Sequence, residues 1–511
     1  MKAKIDSIYQ RHPRLFALVV ALVLGCLTVL LSSRVSSLIY AYIPVNPTYN
    51  DATLFAVLGR ALVEGKTPYV EIFDHKGLYL FYYMALGYGL GGRVGMFFVQ
   101  YLFIASFLYI FFEICREYGF GWGRSTIACA LFFAVYSLAS QSPSDCEMVF
   151  PFIALMFYFY VKAMKGDDHR YFMIGNAFAG VTAGLAINIR PSDAMIPLSV
   201  VIFYAINRLM DKGEDGATKA KRILLNAAIV VGCIALISIP PFVHAYAGGF
   251  LKEMVDVVIV SNFRYVGSSN DRSAATVWLW RGIIFAGAAL LLLLLFLCRK
   301  KMSREEITFH WVSISIVGLI QFAIAYYPHY LLIVVPWLIV YVIRIISLFS
   351  LKKVANIIAT SLVGLSCIGA VSIPVATYYS GQFEADRAIT TYVNESIPET
   401  ERKGHTLAYL CTASIYLNSS IDPSFADFAI QDNHHRLGID ALTMEAFVAH
   451  LDSGECHYVI LWNSDALHNE IYDYVIDGKS LDGTAGTSKF EFVEDKAHEG
   501  SKYISIYHYV G

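Results

Sequence analysis

The sequence predicts a polytopic α-helical membrane protein with a C-terminal α/β domain outside the membrane. Three observations lead there: an apolar composition, a series of membrane-length apolar runs, and an uneven division of charge. Hydrophobic residues make up 57% of the 511 residues and charged residues 16%, where soluble domains run at about 45–50% apolar and about 25% charged. That excludes an ordinary soluble enzyme. The lack of heptads, the abundance of Tyr and Phe and the nine scattered cysteines exclude coiled coils, disordered regulators and disulfide scaffolds. The net charge of −2 hides a division. Residues 1–377 carry 31 Lys and Arg against 20 Asp and Glu, and residues 378–511 carry 8 against 21. Two parts of opposite charge suggest two environments.

Crossing a bilayer takes about 17–25 apolar residues. Runs of that length fall near 14–33, 94–114, 124–140, 148–164, 171–189, 194–209, 223–245, 276–298, 308–327, 330–350 and 354–374, which gives eleven spans. Leu78 to Leu90 is also apolar but too short to cross, so it reads as a re-entrant or interfacial helix. With the N-terminus cytoplasmic, 21 basic residues fall in short inner segments and 10 in longer outer ones, as the positive-inside rule requires. A twelfth span at 78–90 would put the basic cluster at 208–222 outside. The N-terminal run resembles a signal peptide but lacks a small-residue cleavage site, and it reads as an uncleaved first span.

Residues 1–377 therefore form a transmembrane domain with long outer loops at 34–93 and 246–275. Residues 378–511 form a soluble domain, with strand-length apolar runs at His405–Leu410, His457–Trp462 and Lys502–Val510 and a helical stretch at Ala441–Leu451. An odd number of spans places it extracytoplasmically. Cys411 and Cys456 both lie in this tail, and a disulfide between them is left open.

Chemistry-bearing residues concentrate at the outer boundary. The first outer loop holds Asp51, at an N-cap position before the amphipathic run Leu54, Val57, Leu58, Ala61, Leu62. It continues through Gly65-Lys66-Thr67-Pro68-Tyr69 to Phe73-Asp74-His75-Lys76-Gly77. The second outer loop carries Asp145 and Glu147, Arg190 ends a span, and His329-Tyr330 occupies a tight outer turn. Each has a local explanation as cap, turn or snorkelling residue. Together they place carboxylates and cations on one side of the bilayer, as binding a lipid phosphate and deprotonating a hydroxyl would need.

These residues resemble bacterial membrane glycosyltransferases of the GT-C superfamily, related to protein mannosyltransferases and lipid A aminoarabinose transferases. Many such sequences read G-x-x-P-Y-x-D-x-F-D-H-K-G-P where this chain has Glu71 for the usual Asp and Leu78 for the final Pro. The resemblance covers roughly residues 10–375 and implies a polyprenyl-phosphate-linked sugar donor used at the outer face of a bacterial plasma membrane. It makes Asp51 the general base on an acceptor hydroxyl, with inversion. It makes Lys76, His75, Arg190 and His329 candidates for the donor phosphate, and Asp74, Glu147 and Tyr69 supporting or acceptor-positioning residues. Asp51 and Glu147 would be the ligands of a divalent metal if one is used; no obligatory cofactor is expected. The acceptor would be a glycan, lipid or protein, membrane lipids would surround the spans, and no nucleic acid is expected as a partner.

Two rival readings remain. A lipid-linked saccharide flippase would usually show repeated halves and polar residues through the bilayer, and neither is evident. A polysaccharide polymerase or ligase would place its chemistry in the late outer loop, which here offers Asn262, Arg264, Tyr265, Asn270, Asp271 and Arg272.

Overall fold

The computed structural model describes residues 2–33, 51–139, 142–166, 168–261, 274–323, 328–348, 381–411, 413–428, 442–463, 469–493 and 499–511. It also describes residues 35 and 439 and short helical stretches between 360 and 376. The first part of the loop 34–93, the centre of the loop 246–275 with all six of its named polar residues, and most of the expected span 354–374 lie outside the described residues.

Helices stand where the apolar runs predict them. They are α1 (Lys2–Arg11), α2 (Pro13–Ser32), α3 (Asp51–Val63), α4 (Leu78–Gly89), α5 (Gly92–Glu117), α6 (Trp122–Ala139), α7 (Phe150–Gly166), α8 (His169–Ile187), α9 (Met195–Met210), α10 (Gly216–Ala247), α11 (Leu251–Val255), α12 (Ala274–Cys298), α13 (Arg304–Ala323) and α14 (Val335–Leu348). Local chemistry sets several starts. Pro13 opens α2, where its missing N–H costs nothing. Asp168 accepts from Arg170 N at 2.9 Å to cap α8, and Asp215 accepts from Thr218 N at 2.9 Å to cap α10.

Among the described residues, five helical segments are long and apolar enough to cross a membrane: Pro13–Ser32, Gly92–Glu117, Pro191–Met210, Gly216–Ala247 and Ala275–Lys301. The predicted spans at 124–140, 148–164, 171–189, 308–327 and 330–350 carry helices too, but shorter or less apolar ones. The helix α4 has 12 residues, about 18 Å at 1.5 Å per residue, and it packs against α3 and α5. The expected short helix is therefore present. The expected amphipathic character of α3 is not: every residue from Ala52 to Ala61 is buried, because α4 covers one side and the C-terminal segment covers another.

The C-terminal segment contains α15 (Gln382–Ser396), β1 (Lys403–Tyr409), α16 (Ser414–Asn418), β2 (Asp422–Pro423), α17 (Met444–Asp452), β3 (Tyr458–Trp462), β4 (Phe490–Phe492) and β5 (Ile504–Tyr509). Its sheet has the order β2-β1-β3-β5-β4, with β1 parallel to β2 and β3, and β5 antiparallel to β3 and β4. Strand alternation divides the side chains between two faces. Leu407, Tyr409, Val459 and Leu461 pack with Phe447 and Leu451 in a core of their own. Ala408, Ile460, Ile504 and Ile506 pack with Tyr392 and Tyr416 in a core continuous with that of the helices. Cys411 belongs to the second core and Cys456 to the first, and both thiols are free.

Candidate functional site

Asp51 is the first residue of α3, where the helix dipole favours a negative charge. The depth of α3 is set at Gly59, where a Cβ would come within 2.5 Å of the Met84 backbone on α4. Among the described residues no hydrogen bond holds the Asp51 carboxylate; burial and surrounding charges act on it instead.

The chain then turns through Tyr69, whose φ of +64° lies in the sparsely populated left-handed region. Three contacts hold it there. Tyr69 N donates to Ile72 O at 2.8 Å, its hydroxyl donates to Lys76 O at 2.9 Å, and its ring packs 5.5 Å from Phe81 and 6.3 Å from Phe250. Tyr69 thus fixes the backbone of Lys76, and the start of the late outer loop buttresses it through Phe250.

Asp74 Oδ1 accepts from Lys76 N at 2.8 Å, a side-chain-to-backbone bond that closes the next turn. Lys76 Nζ lies 2.6 Å from His75 Nε2. With the lysine charged, Nζ donates and the imidazole is the neutral tautomer protonated at Nδ1, which lies 3.7 Å from Asp74 Oδ1. His75, expected as a phosphate-binding cation, here serves as the acceptor that aims the Lys76 ammonium.

Gly77 explains why this string lands where it does. Its N–H donates to Ile189 O at 3.1 Å, and a Cβ there would run into the carbonyl of Asn188. The loop is thereby pressed against the end of α8, one residue before Arg190. Gly77→Ala is expected to destabilise the protein by about 1–3 kcal/mol through overpacking and to shift Lys76, read as a lowered unfolding temperature together with faster exchange of the Lys76 amide that donates to Asp74. Unchanged values for both would mean that this contact does not position Lys76.

Arg190 is buried and doubly paired. Nε and Nη2 donate to Asp193 Oδ1 at 2.9 and 2.7 Å, Nη2 reaches Oδ2 at 2.9 Å, and Nη1 lies 3.1 Å from Asp145 Oδ2. The Tyr330 ring lies 4.3 Å from the guanidinium carbon, within cation–π range. His329 stands beside it in the short helix Pro328–Ile333, but its side chain lies outside the described residues.

These segments form one electrostatic group. Asp51 is pushed up to about 6, chiefly by burial, with Asp145 and Asp74 raising it further and Lys76 and Arg190 opposing. Burial pulls the Lys76 ammonium down, but Tyr330, Asp74, Asp145 and Asp51 more than offset it, and the lysine is held above its ordinary value. Arg190 shifts upward too, as Asp145 and Asp193 outweigh its burial. Four carboxylates and two permanent cations therefore act on one another across segments far apart in sequence.

Glu147 is placed differently from the expectation. Its carboxylate accepts from Tyr83 OH at 2.8 Å, from Gln100 Nε2 at 3.3 and 3.1 Å, from Ser144 N at 3.2 Å, and from the Tyr136 and Ser142 hydroxyls. Burial raises its pKa and these donors oppose the rise. Both oxygens are taken up in holding α4, α5 and α6 together, so Glu147 does not join Asp51 in a donor set for a metal. Among the described residues no three His, Cys, Asp or Glu side chains gather as one.

The structure thus brings Asp51, Asp74, His75, Lys76 and Arg190 together, with Tyr69 as a support, and leaves Glu147 apart. Sequence reading noticed Asp145 and Tyr330 without giving them roles and passed over Asp193. The signal for Asp193 is its place three residues after Arg190, one turn of a helix away.

The chain is similar to an oligosaccharyltransferase from Archaeoglobus fulgidus, solved in complex with zinc and sulfate. The identity is 14% and the TM-score 0.40, over 92% of this chain and 73% of that one. No protein-family model matches the chain, and no curated protein matches it.

Proposed function

We propose that this chain is an integral-membrane glycosyltransferase that moves a sugar from a polyprenyl-phosphate donor to an acceptor hydroxyl at the outer membrane face, with inversion. The observation that carries this reading is the convergence of Asp51, Lys76 and Arg190, from three separate segments, at the boundary that the charge distribution marks as outer. In this reading the N-terminus is cytoplasmic, residues 1–377 hold the spans, and residues 378–511 lie extracytoplasmically beside the site.

Asp51 is the general base. Among the described residues no hydrogen bond occupies its carboxylate, and its raised pKa makes it a stronger proton acceptor that is still ionised at neutral pH. It takes the proton of the acceptor hydroxyl as the oxygen attacks the anomeric carbon. The bond from that carbon to the phosphate oxygen breaks on the opposite side, and its electron pair leaves with the phosphate. Lys76, aimed by His75, faces the growing negative charge. Arg190 is committed to Asp145 and Asp193, so it contributes a fixed positive field and holds those acids in place. Apolar helix walls receive the polyprenyl tail. No step is routed through a metal: among the described residues no three His, Cys, Asp or Glu side chains gather as one.

The test is purified protein in proteoliposomes supplied with a labelled polyprenyl-phosphate sugar and candidate acceptors. Label transferred to an acceptor with release of polyprenyl phosphate supports the reading. Label that crosses the bilayer without transfer supports a flippase, and a lengthening glycan supports a polymerase. The base assignment also sets a pH dependence. Below a pKa of about 6 the Asp51 carboxylate is protonated and cannot accept, so kcat/KM should fall about tenfold per pH unit on the acid side. A flat profile between pH 4.5 and 7 would remove Asp51 from this role.

A further inference from the structure

We propose that the C-terminal domain is a working part of the active site, and that Arg60 is the positioning residue through which it holds the helix bearing Asp51. This rests on the reading of Asp51 as base. Arg60 lies about two and a half turns beyond Asp51 on α3 and is 5% exposed. Its Nη1 donates to Tyr416 O at 2.9 Å and its Nη2 donates to Ile421 O, both in the C-terminal domain. Glu64, one residue past the end of α3, is 3.7 Å from Nε.

The anchor is rigid. Tyr416 is fully buried, and its hydroxyl accepts from Ala408 N at 2.9 Å and donates to Ala408 O at 3.1 Å, which ties it to the middle of β1. A path of short contacts therefore runs from the sheet through Tyr416 and Arg60 to α3. On the neighbouring position of that helix, Gly59 sits against Met84. The helix is thus held between α4 and the C-terminal domain.

Two more contacts continue the attachment along the same stretch of chain. Lys66 Nζ lies 2.6 Å from Asp422 Oδ1 and donates to Pro423 O at 3.2 Å. Phe73 N donates to Ala426 O at 2.9 Å, immediately before Asp74. Positions 60, 66 and 73 of the first outer loop thus meet positions 416–426 of the C-terminal domain in order, ending immediately before the turn that carries Asp74 and Lys76. Most of the acceptors are backbone carbonyls, so no side-chain motif in the tail announces the attachment.

A guanidinium removed from this place leaves two buried carbonyls without their donor and frees the face of α3 that the C-terminal domain holds. Displacement of a catalytic group by about 1 Å costs on the order of a hundredfold in rate. Lys76 keeps its own tether through Phe73 and Ala426, so donor binding should suffer less than turnover.

The experiment uses the full chain in nanodiscs with Arg60→Ala, Arg60→Lys and Lys66→Met. Arg60→Ala should lower kcat on the order of a hundredfold while the donor KM moves by less than about threefold. The acid limb of kcat should move below its wild-type position, because Asp51 is no longer held in its buried place. Arg60→Lys, which can meet one carbonyl at a time, should recover part of the loss. If Arg60→Ala does not fold, Arg60→Lys and Lys66→Met should show the same changes on a smaller scale. A folded variant with unchanged kcat, or a loss of kcat with the acid limb in place, would overturn the proposal. Amide exchange of α3, measured without substrate, should be faster in the variants, while that of Phe73, whose N–H donates to Ala426 O, stays as in the wild type. Unchanged exchange in an active protein overturns the clamp. Faster exchange in a protein that transfers no sugar upholds the clamp and overturns the reaction instead.

Discussion

Asp51→Asn should lower transfer by about 10²- to 10⁴-fold, the range for losing a general base, while the protein folds at least as well as wild type. The second half follows from the sign of the pKa shift. The folded value of about 6 lies above the ordinary aspartate value, so at neutral pH the fold holds an ion that its surroundings disfavour. The wild-type protein should therefore gain stability as the pH falls through about 6, and the amide, which carries no charge, should lack the Asp51 share of that gain, while Asp386, raised to about 7 by burial, keeps its own. Thermal unfolding at pH 5 and pH 7 checks the stability, and transfer from a labelled donor checks the rate. Full activity in Asp51→Asn, or the same pH-dependent gain in stability, would take the base role away from Asp51.

Arg190→Met should be the most destabilising of the substitutions considered, by about 3–5 kcal/mol, the cost of breaking a buried ion pair from one side. Asp145 and Asp193 would remain buried, facing each other without the guanidinium that separates them. Arg190→Lys should recover only part, since an ammonium cannot reproduce the forked contact with Asp193 and the simultaneous contact with Asp145. Combining Arg190→Met with Asp145→Asn and Asp193→Asn should restore much of the unfolding temperature without restoring transfer. That separation identifies the stranded charges as the source of the instability and the guanidinium as a requirement of the reaction. Recovery of both would mean that the cation only neutralises its neighbours.

Much of this was legible in the sequence, because the signals were local. Apolar runs announced the helices of the bundle, and thirteen apolar residues interrupted by glycine announced the short helix α4. The alternating runs at 405–410 and 457–462 are strands β1 and β3. The string from Phe73 to Gly77 marked the turn that carries Lys76. The misreadings share a physical cause, which is that pairing partners lie far apart along the chain. Glu147 read as a supporting or acceptor-positioning acid at the boundary, yet Tyr83, Gln100 and Tyr136 come from three other places to enclose it. The apolar stripe on α3 suggested an amphipathic helix, whereas the C-terminal segment covers the remaining face and receives Arg60 through backbone carbonyls. Asp193 escaped attention because its acidic side chain follows a proline at what looked like an ordinary span boundary.

The most direct test of the central claim is the position of the phosphorus atom in a structure of the full chain with bound polyprenyl phosphate. The account places the phosphate against the Lys76 ammonium on the Asp51 side of Arg190, with the polyprenyl tail leaving along the apolar helices. A phosphate bound elsewhere, for example among Arg208, Arg222 and Arg304 at the opposite ends of the helices, would contradict it.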